Sequence, residues 1–315
     1  MSSRSIVVGR GDGAVAGPGP GSDRPPPTQS NHPLAMFVVV VTALMMSALD
    51  STIVATALHA LQGGLDASIT IVGWTITAYS LGRVLVLPVA GKLTVRYGPR
   101  RVFLVSVAVF TAASFFCGLV NSIYALVALR LVQAVGGAGF TPTATKIVVE
   151  HFGPSRDKAV GVFGSAFTTG ALIGPLLGGV IVAFWSWRGV FLVNVPIGIA
   201  LIPLCLRYVP ADGPQQRQPN RHLDVPGVAL LGTGLLAAMI GFVYLGDTPA
   251  GWIAPCIAAL VISVLALGAF AWHIERASDP LIPPRLIHGR GFGAVNLICV
   301  VYSGFGAGLV ALIPL

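Results

Sequence analysis

Three ionisable side chains stand inside otherwise apolar stretches of this chain: Asp50, Arg83 and Arg130. A charge at the bilayer centre costs about 2.5–3.5 kcal/mol on insertion scales, so each needs a partner or a water-filled cavity. A carboxylate in such a place is a candidate proton carrier. Withdrawal from water favours its neutral form and a nearby guanidinium its ionised form, so opening the site to either side of a membrane shifts the balance. The same residues also support a static ion pair that fixes helix register. Other chemistry is poorly represented. No Ser/His/Asp, Cys/His or paired-carboxylate set is spaced for catalysis, and there is no P-loop. His59 marks the outer end of a span, and the other histidines lie in loops, the N-terminal arm or span ends without metal-ligand spacing. Cys117, Cys205, Cys256 and Cys299 sit in apolar runs with no C-x-x-C pairing and read as small buried residues. The expectation is therefore no enzyme, no cofactor and no metal.

The elements that must position these charges follow from composition. Hydrophobic residues make up 55% of the 315 and charged residues 10%, with a mean hydropathy of +0.84. A soluble domain carries roughly 25% charged residues, so this chain cannot cover a water-facing surface and belongs in a membrane. Nine stretches can cross a hydrocarbon core that takes about 20 helical residues. They lie near 34–58, 69–90, 102–121, 123–147, 159–184, 189–208, 226–246, 252–272 and 292–315. Residues 1–33, with PGPGSDRPPP at their centre, lack the apolar core and cleavage site of a signal peptide and are expected to form a disordered arm.

Charge placement orients the spans. Sixteen of the nineteen Lys and Arg fall in the arm or in loops following even-numbered spans, and only Arg188 lies in a loop on the opposite side. The positive-inside rule puts the arm and those loops in the cytoplasm, across a plasma membrane. The net charge of +8 thus reports topology and lipid contact, not a nucleic-acid partner. At about 1.5 Å per residue, Asp50 lies roughly 12 Å and Arg130 roughly 10 Å from the outer face, level enough to pair. Arg83 lies about 10 Å from the cytoplasmic face and is expected to line a cavity or snorkel inward. Within 34–208 the six spans read as one bundle. A Pro-rich linker, 209–225, leads to a helical pair, 226–272, and then to 273–315, a loop and the start of a further unit.

Span five carries a second pattern. Gly170, Gly174 and Gly178 recur four apart, beside Pro175 and Gly179. That spacing puts small residues on one helix face where another backbone can approach, and the proline adds a bend tolerable within a membrane.

Several of these runs resemble motifs of one family, in order. LDSTIVATAL (49–58) resembles an LDxTIVNVALP signature, with Asp50 and Thr52 matching. GKLTVRYGPRR (91–101) resembles a G-x-L-a-D-r-x-G-r-r loop, and LVALRLVQAVGGA (126–138) a span-four pattern in which Arg130 and Gln133 are in place. GALIGPLLGG (170–179) is similar to a G-x-x-x-G-P-x-x-G-G antiporter motif, and WRGVFLVNVPIG (187–198) to the run that follows it. The chain thus resembles the major facilitator superfamily, in its fourteen-helix drug:proton antiporter branch.

The resemblance implies an all-α polytopic fold: a six-helix N-terminal bundle plus three further helices. It also implies proton-coupled efflux of small lipophilic or cationic compounds by alternating access. Asp50 and Arg130 would couple protons, with Arg83, Thr52 and Gln133 as cavity or coupling residues. Gly170, Gly174, Pro175, Gly178 and Gly179 would form a packing and bending surface, and Gly91, Lys92, Arg96, Gly98, Arg100 and Arg101 a cytoplasmic gate. Val95 departs from the loop pattern, where an acid normally joins a charge network that locks one conformation. Ala55, His59, Pro99 and Ala134 depart from the patterns as well. Fourteen spans exceed the nine read here, so a missing C-terminal half is expected as a partner and the 315 residues alone are expected not to transport. Export of a metabolite or natural product on the same fold, or a role without transport, are the alternative readings.

Overall fold

Proline, glycine and serine set the limits of the long apolar helices. The computed structural model describes residues 32–213, 224–245, 253–284, 293, 294 and 298. Pro33 opens α1 (Pro33–Thr56), in the turn where a missing N–H costs nothing. A short α2 (Leu58–Leu65) prolongs it and stops at Asp66, whose φ of 48° is left-handed. Ser68 starts α3 (Ile69–Tyr97) by accepting a hydrogen bond from the Ile71 N–H at 3.4 Å. Gly98, at φ 94°, alone separates α3 from α4 (Pro99–Leu119). A single 3₁₀ turn, Gly153–Ser155, joins α5 (Ile123–His151) to α6 (Arg156–Phe184). Then come α7 (Gly189–Leu192), α8 (Asn194–Tyr208), α9 (Val225–Leu245) and α10 (Ile253–Arg276).

Every regular element among the described residues is helical, and eight helical segments are long and apolar enough to cross a membrane, α7 and α8 together making one. They coincide with the first eight expected spans; the ninth, most of the arm and residues 214–223 lie outside the described residues. Several boundaries move, and three of them fall on charged segments. α3 runs on to Tyr97, α5 to His151, and α6 begins at Arg156, so segments expected as loops are helix ends. Lys and Arg are good helix formers whose stems lie along apolar surface, and α3 is broken by the positive φ of Gly98 and α5 parted from α6 at Gly153, φ 44°. Pro88, Pro142, Pro175 and Pro203 sit inside helices without ending them.

α5 packs between α3 and α4, α1 lies against α6, and α8 against α4. Two apolar clusters fill the bundle. One holds Met36, Met46, Phe103, Phe110, Phe140 and Ile147; the other holds Ile53, Leu61, Val72, Leu126 and Phe191. Arg188 pins the C-terminal end of α4, donating to the carbonyls of Gly118 at 3.0 Å and Val120 at 2.8 Å.

α9 and α10 pair with each other and dock on α3 through Phe270, Ile274 and Leu281 against Val89. Asp224 ties this pair together: its carboxylate accepts from the Gly227 and Leu281 amides, each at 2.9 Å, and meets His273 Nε2 at 2.7 Å. Burial pushes this carboxyl up, but the bonds from His273, Gly227 and Leu281 outweigh it and hold it below the ordinary value.

The glycines of α6 meet α1. A Cβ on Gly170 would stand 3.0 Å from the Met45 carbonyl, on Gly174 3.2 Å from that of Leu49, and on Gly178 3.0 Å from that of Ile53. Pro175 and Gly179 are exposed, and Gly179 has open space around it. One residue off the four-residue repeat is about 100° round the helix, so neither joins this contact.

Gly178→Val should therefore cost about 1–3 kcal/mol by overpacking, while Gly179→Ala should be neutral; thermal melts of the two variants in detergent that agree with each other would contradict the packing. Because the Asp224 carboxyl is lowered, its contribution is present above the unfolded carboxylate value and is lost as pH falls through the folded one. Hydrogen exchange at the start of α9 should stay slow at neutral pH and quicken only below about pH 4; loss already near neutrality would remove Asp224 as the anchor.

Candidate functional site

Asp50 lies on α1 between Met46 and Ile53, one from each apolar cluster, and Arg130 lies on α5 between Leu126 and Ala134, likewise one from each. Both are fully buried, at 0% exposure. The charged pair thus sits at the waist of the bundle, sealed by apolar side chains on either side. Arg130 Nη1 stands 2.7 Å from Asp50 Oδ2. The other carboxylate oxygen accepts from Gln133 Nε2 at 2.9 Å and Asn194 Nδ2 at 3.0 Å.

The guanidinium is held as firmly. Arg130 Nη1 also donates to Gln133 Oε1 at 2.7 Å, its Nε donates to the Thr75 carbonyl at 3.1 Å, and its carbon lies 4.0 Å from the centroid of the Tyr79 ring. Gln133 Nε2 reaches Ser114 Oγ at 2.6 Å. The cluster therefore draws on α1, α3, α4, α5 and α8. Gln133 follows Arg130 by one helical turn, which is why both reach the same carboxylate. Asn194 is the first residue of α8, directly after the break from α7.

Of the remaining candidates, Thr52 turns its hydroxyl to its own helix, within 3.3 Å of the Ala48 carbonyl and 3.2 Å of the Leu49 carbonyl, and faces Gly174. Arg83 is half-buried, 5.7 Å from the Tyr79 ring and 5.9 Å from that of Phe167, apart from the Asp50 cluster. Asn194, Ser114, Thr75 and Tyr79 were not singled out as site residues by the sequence. Asn194 had a signal, as the one amide in the apolar WRGVFLVNVPIG run; Ser114 and the Thr75 carbonyl had none.

Residues 91–101, expected to form a cytoplasmic gate, send their charged side chains to separate partners. Gly91 has open space around it. Lys92 Nζ donates to the Asp279 carbonyl at 2.6 Å and pairs with its carboxylate at 3.2 Å. Arg96 lies 5.3 Å from the Tyr97 ring. Gly98 abuts Asp212, whose two carboxylate oxygens accept the Arg100 amide at 2.9 Å and the Arg101 amide at 3.0 Å. Asp212 thus supplies the cap that Gly98, without a side chain, cannot give α4. Arg100 Nη2 reaches the Leu206 carbonyl at the end of α8, at 2.5 Å. Val95 brings no carboxylate to this segment; Asp212 and Asp279, which touch it, come from beyond the bundle's sixth span.

The sequence and the fold both have known counterparts. The Major Facilitator Superfamily pattern matches residues 40–315. A "Multidrug resistance protein B homolog" of Mycobacterium tuberculosis (strain H37Rv) is 33% identical over 273 residues, which cover 84% of this chain and 49% of that protein. The "Tetracenomycin C resistance and export protein" of Streptomyces glaucescens is 33% identical over 280 residues, covering 87% and 51%. A multidrug transporter protein of Bacillus subtilis (strain 168) is 30% identical over 287 residues, covering 91% and 52%. The chain spans about half the length of these curated relatives. Among solved structures, the xylose transporter of E. coli in a partially occluded inward-open conformation aligns with a TM-score of 0.53 at 13% identity, over 85% of this chain and 62% of that one. The human organic anion transporter MFSD10 aligns with a TM-score of 0.50 at 18% identity, over 82% and 73%. This chain, an integral membrane protein of buried charges and apolar helices, belongs to the Major Facilitator Superfamily of transporters.

Proposed function

We propose that this chain serves the export of small lipophilic or cationic compounds across the plasma membrane, in exchange for protons, by alternating access. The observation that carries the reading is the sealed Asp50 carboxylate, met by Arg130, Gln133 and Asn194 from two other helices. A proton arriving on Asp50 competes with those donors for the same oxygens. Protonation therefore loosens the tie between α1, α5 and α8, and re-formation of the tie releases the proton. In this reading the arm and the α3–α4 joint face the cytoplasm. The bundle is one half of the carrier, which encloses its substrate together with a second set of helices. The close α1–α6 contact lets the bundle move as one body.

A second reading keeps the mechanism and narrows the cargo to natural products. It is favoured by the tetracenomycin relative and by a methylenomycin A resistance protein of Streptomyces coelicolor, 31% identical over 270 residues. A panel of dyes and aromatic polyketides in one efflux assay separates the two.

Asp50→Asn in the intact transporter should abolish proton-driven efflux from pH-clamped vesicles while leaving membrane insertion unchanged; undiminished efflux rules Asp50 out as the carrier. Arg130→Ala strands a buried carboxylate and should cost roughly 3–5 kcal/mol of stability along with transport. Arg130→Lys keeps the charge but lacks the fork that reaches Asp50, Gln133 and Thr75 at once, and should recover stability only in part. Normal melting and normal transport in Arg130→Ala would remove the pairing argument.

A further inference from the structure

A groove runs along the outside of the bundle where α3 and α4 diverge over α5. Val86, Ala90, Val102, Val105, Val109 and Val135 line it, and its volume is about 390 Å³. These residues occupy a different face of α3 from Val89 and Lys92, which meet the α9–α10 unit. Val105 is 63% exposed and Val135 47%, so the groove opens at the surface of the bundle, away from the Asp50 cluster. At the helical rise of about 1.5 Å per residue, the stretch of α3 from Val86 to Tyr97 is roughly 16 Å long. That is the depth of one leaflet of a core about 30 Å thick. The volume spread over that length leaves a cross-section of roughly 24 Å², against about 80 Å² for a helix 10 Å across. The slot has the cross-section of a single hydrocarbon chain.

The groove's cytoplasmic mouth is polar. Tyr97 and Arg101 stand there, at the level of an interfacial aromatic and a headgroup. Arg101 is exposed and also lines an adjoining pocket of about 320 Å³ with Arg100, Leu206 and Asp212. Arg96 lies beside Tyr97. Arg96, Arg100 and Arg101 bring three guanidinium groups to this end of the groove. Asp212 is engaged with the backbone amides of Arg100 and Arg101, and Arg100 with the Leu206 carbonyl. Arg101 is then the guanidinium placed at the junction of apolar slot and polar pocket.

We propose that this groove binds an anionic phospholipid of the inner leaflet, one acyl chain along α3 and α4 and the phosphate on Arg101. The assignment rests on the cytoplasmic placement of the α3–α4 joint given above, but not on proton coupling. Bound at the joint of the gate segment, such a lipid stabilises the arrangement in which Gly98 and Asp212 hold α3, α4 and the end of α8 together.

The test is lipid retention. The intact protein is reconstituted in vesicles of equal parts phosphatidylglycerol and phosphatidylethanolamine and extracted in mild detergent. Bound phospholipid is then read by native mass spectrometry. Wild type should retain phosphatidylglycerol over phosphatidylethanolamine by about fivefold, the effect of one arginine near an anionic lipid. Arg101→Gln, which leaves the backbone bond to Asp212 in place, should bring the ratio near one. Val105→Trp, an exposed position, should lower retention of both lipids. Arg156→Gln, a basic residue remote from the groove, should change nothing. Equal retention of the two lipids by wild type overturns the proposal, as does a preference that survives Arg101→Gln. A cysteine at position 105 that cross-links to another helix of the protein also overturns it, because protein then fills the groove. Loss of efflux in Asp50→Asn with lipid preference intact leaves the site standing; an unpreferred lipid with normal efflux removes the site alone.

Discussion

The bundle is organised around one costly act, the removal of a carboxylate and a guanidinium from water at its centre. Each ion alone would cost several kcal/mol to bury, and their mutual attraction offsets this only if the remaining donors and acceptors are also satisfied. Asp50 meets that condition through Gln133 and Asn194, and Arg130 meets it in part through Gln133, the Thr75 carbonyl and the Tyr79 ring, its Nη2 finding no partner among the described residues. These groups come from separate helices, so the pair constrains where each can lie. The apolar clusters above and below complete the constraint by sealing the waist against water. Such a network holds only while every member is in place, which suits the alternation between two arrangements proposed above.

The rest of the bundle brings those helices to the right distance. Gly170, Gly174 and Gly178 let α6 press against α1 backbone to backbone, which fixes the helix that carries Asp50. The α3–α4 joint is one glycine long, and its missing cap is supplied by Asp212 from beyond α8. Lys92 reaches instead to Asp279, beyond α10. The gate segment is thereby tied both to the end of the sixth span and to the α9–α10 unit. Val95 brings no acid to this segment, and the carboxylates of Asp212 and Asp279, from outside it, offset part of its positive charge.

Much of this was legible in the sequence because the underlying signals are strong. The first eight spans follow from hydropathy, to within about two helical turns at their ends, since the bilayer enforces length on any apolar helix. The Asp50–Arg130 pairing followed from depth, because helical rise converts residue number into distance. Less legible were features that depend on tertiary approach. Asn194 donates to a residue far away in sequence, and nothing in its neighbours announces that. The gate was read as a loop because its charges looked soluble, yet Lys92 and Arg96 lie on the last turns of α3 with their stems on apolar surface. Pro175 and Gly179 were grouped with the small-residue face, but helix geometry turns them away from it. The arginine-mouthed groove had no sequence signal at all, since it exists only where α3 and α4 splay over α5.

The central claim is that proton occupancy of Asp50 and engagement of substrate exclude or favour one another through this single buried network. Proton release on substrate binding tests it directly: the intact purified protein, in weakly buffered detergent solution with a pH-indicator dye, is mixed with a transported dye at several starting pH values. The account predicts a pulse of protons that saturates with substrate and disappears when Asp50 is replaced by asparagine. Substrate binding of undiminished affinity with no proton pulse, or with a pulse unchanged by the replacement, would contradict it.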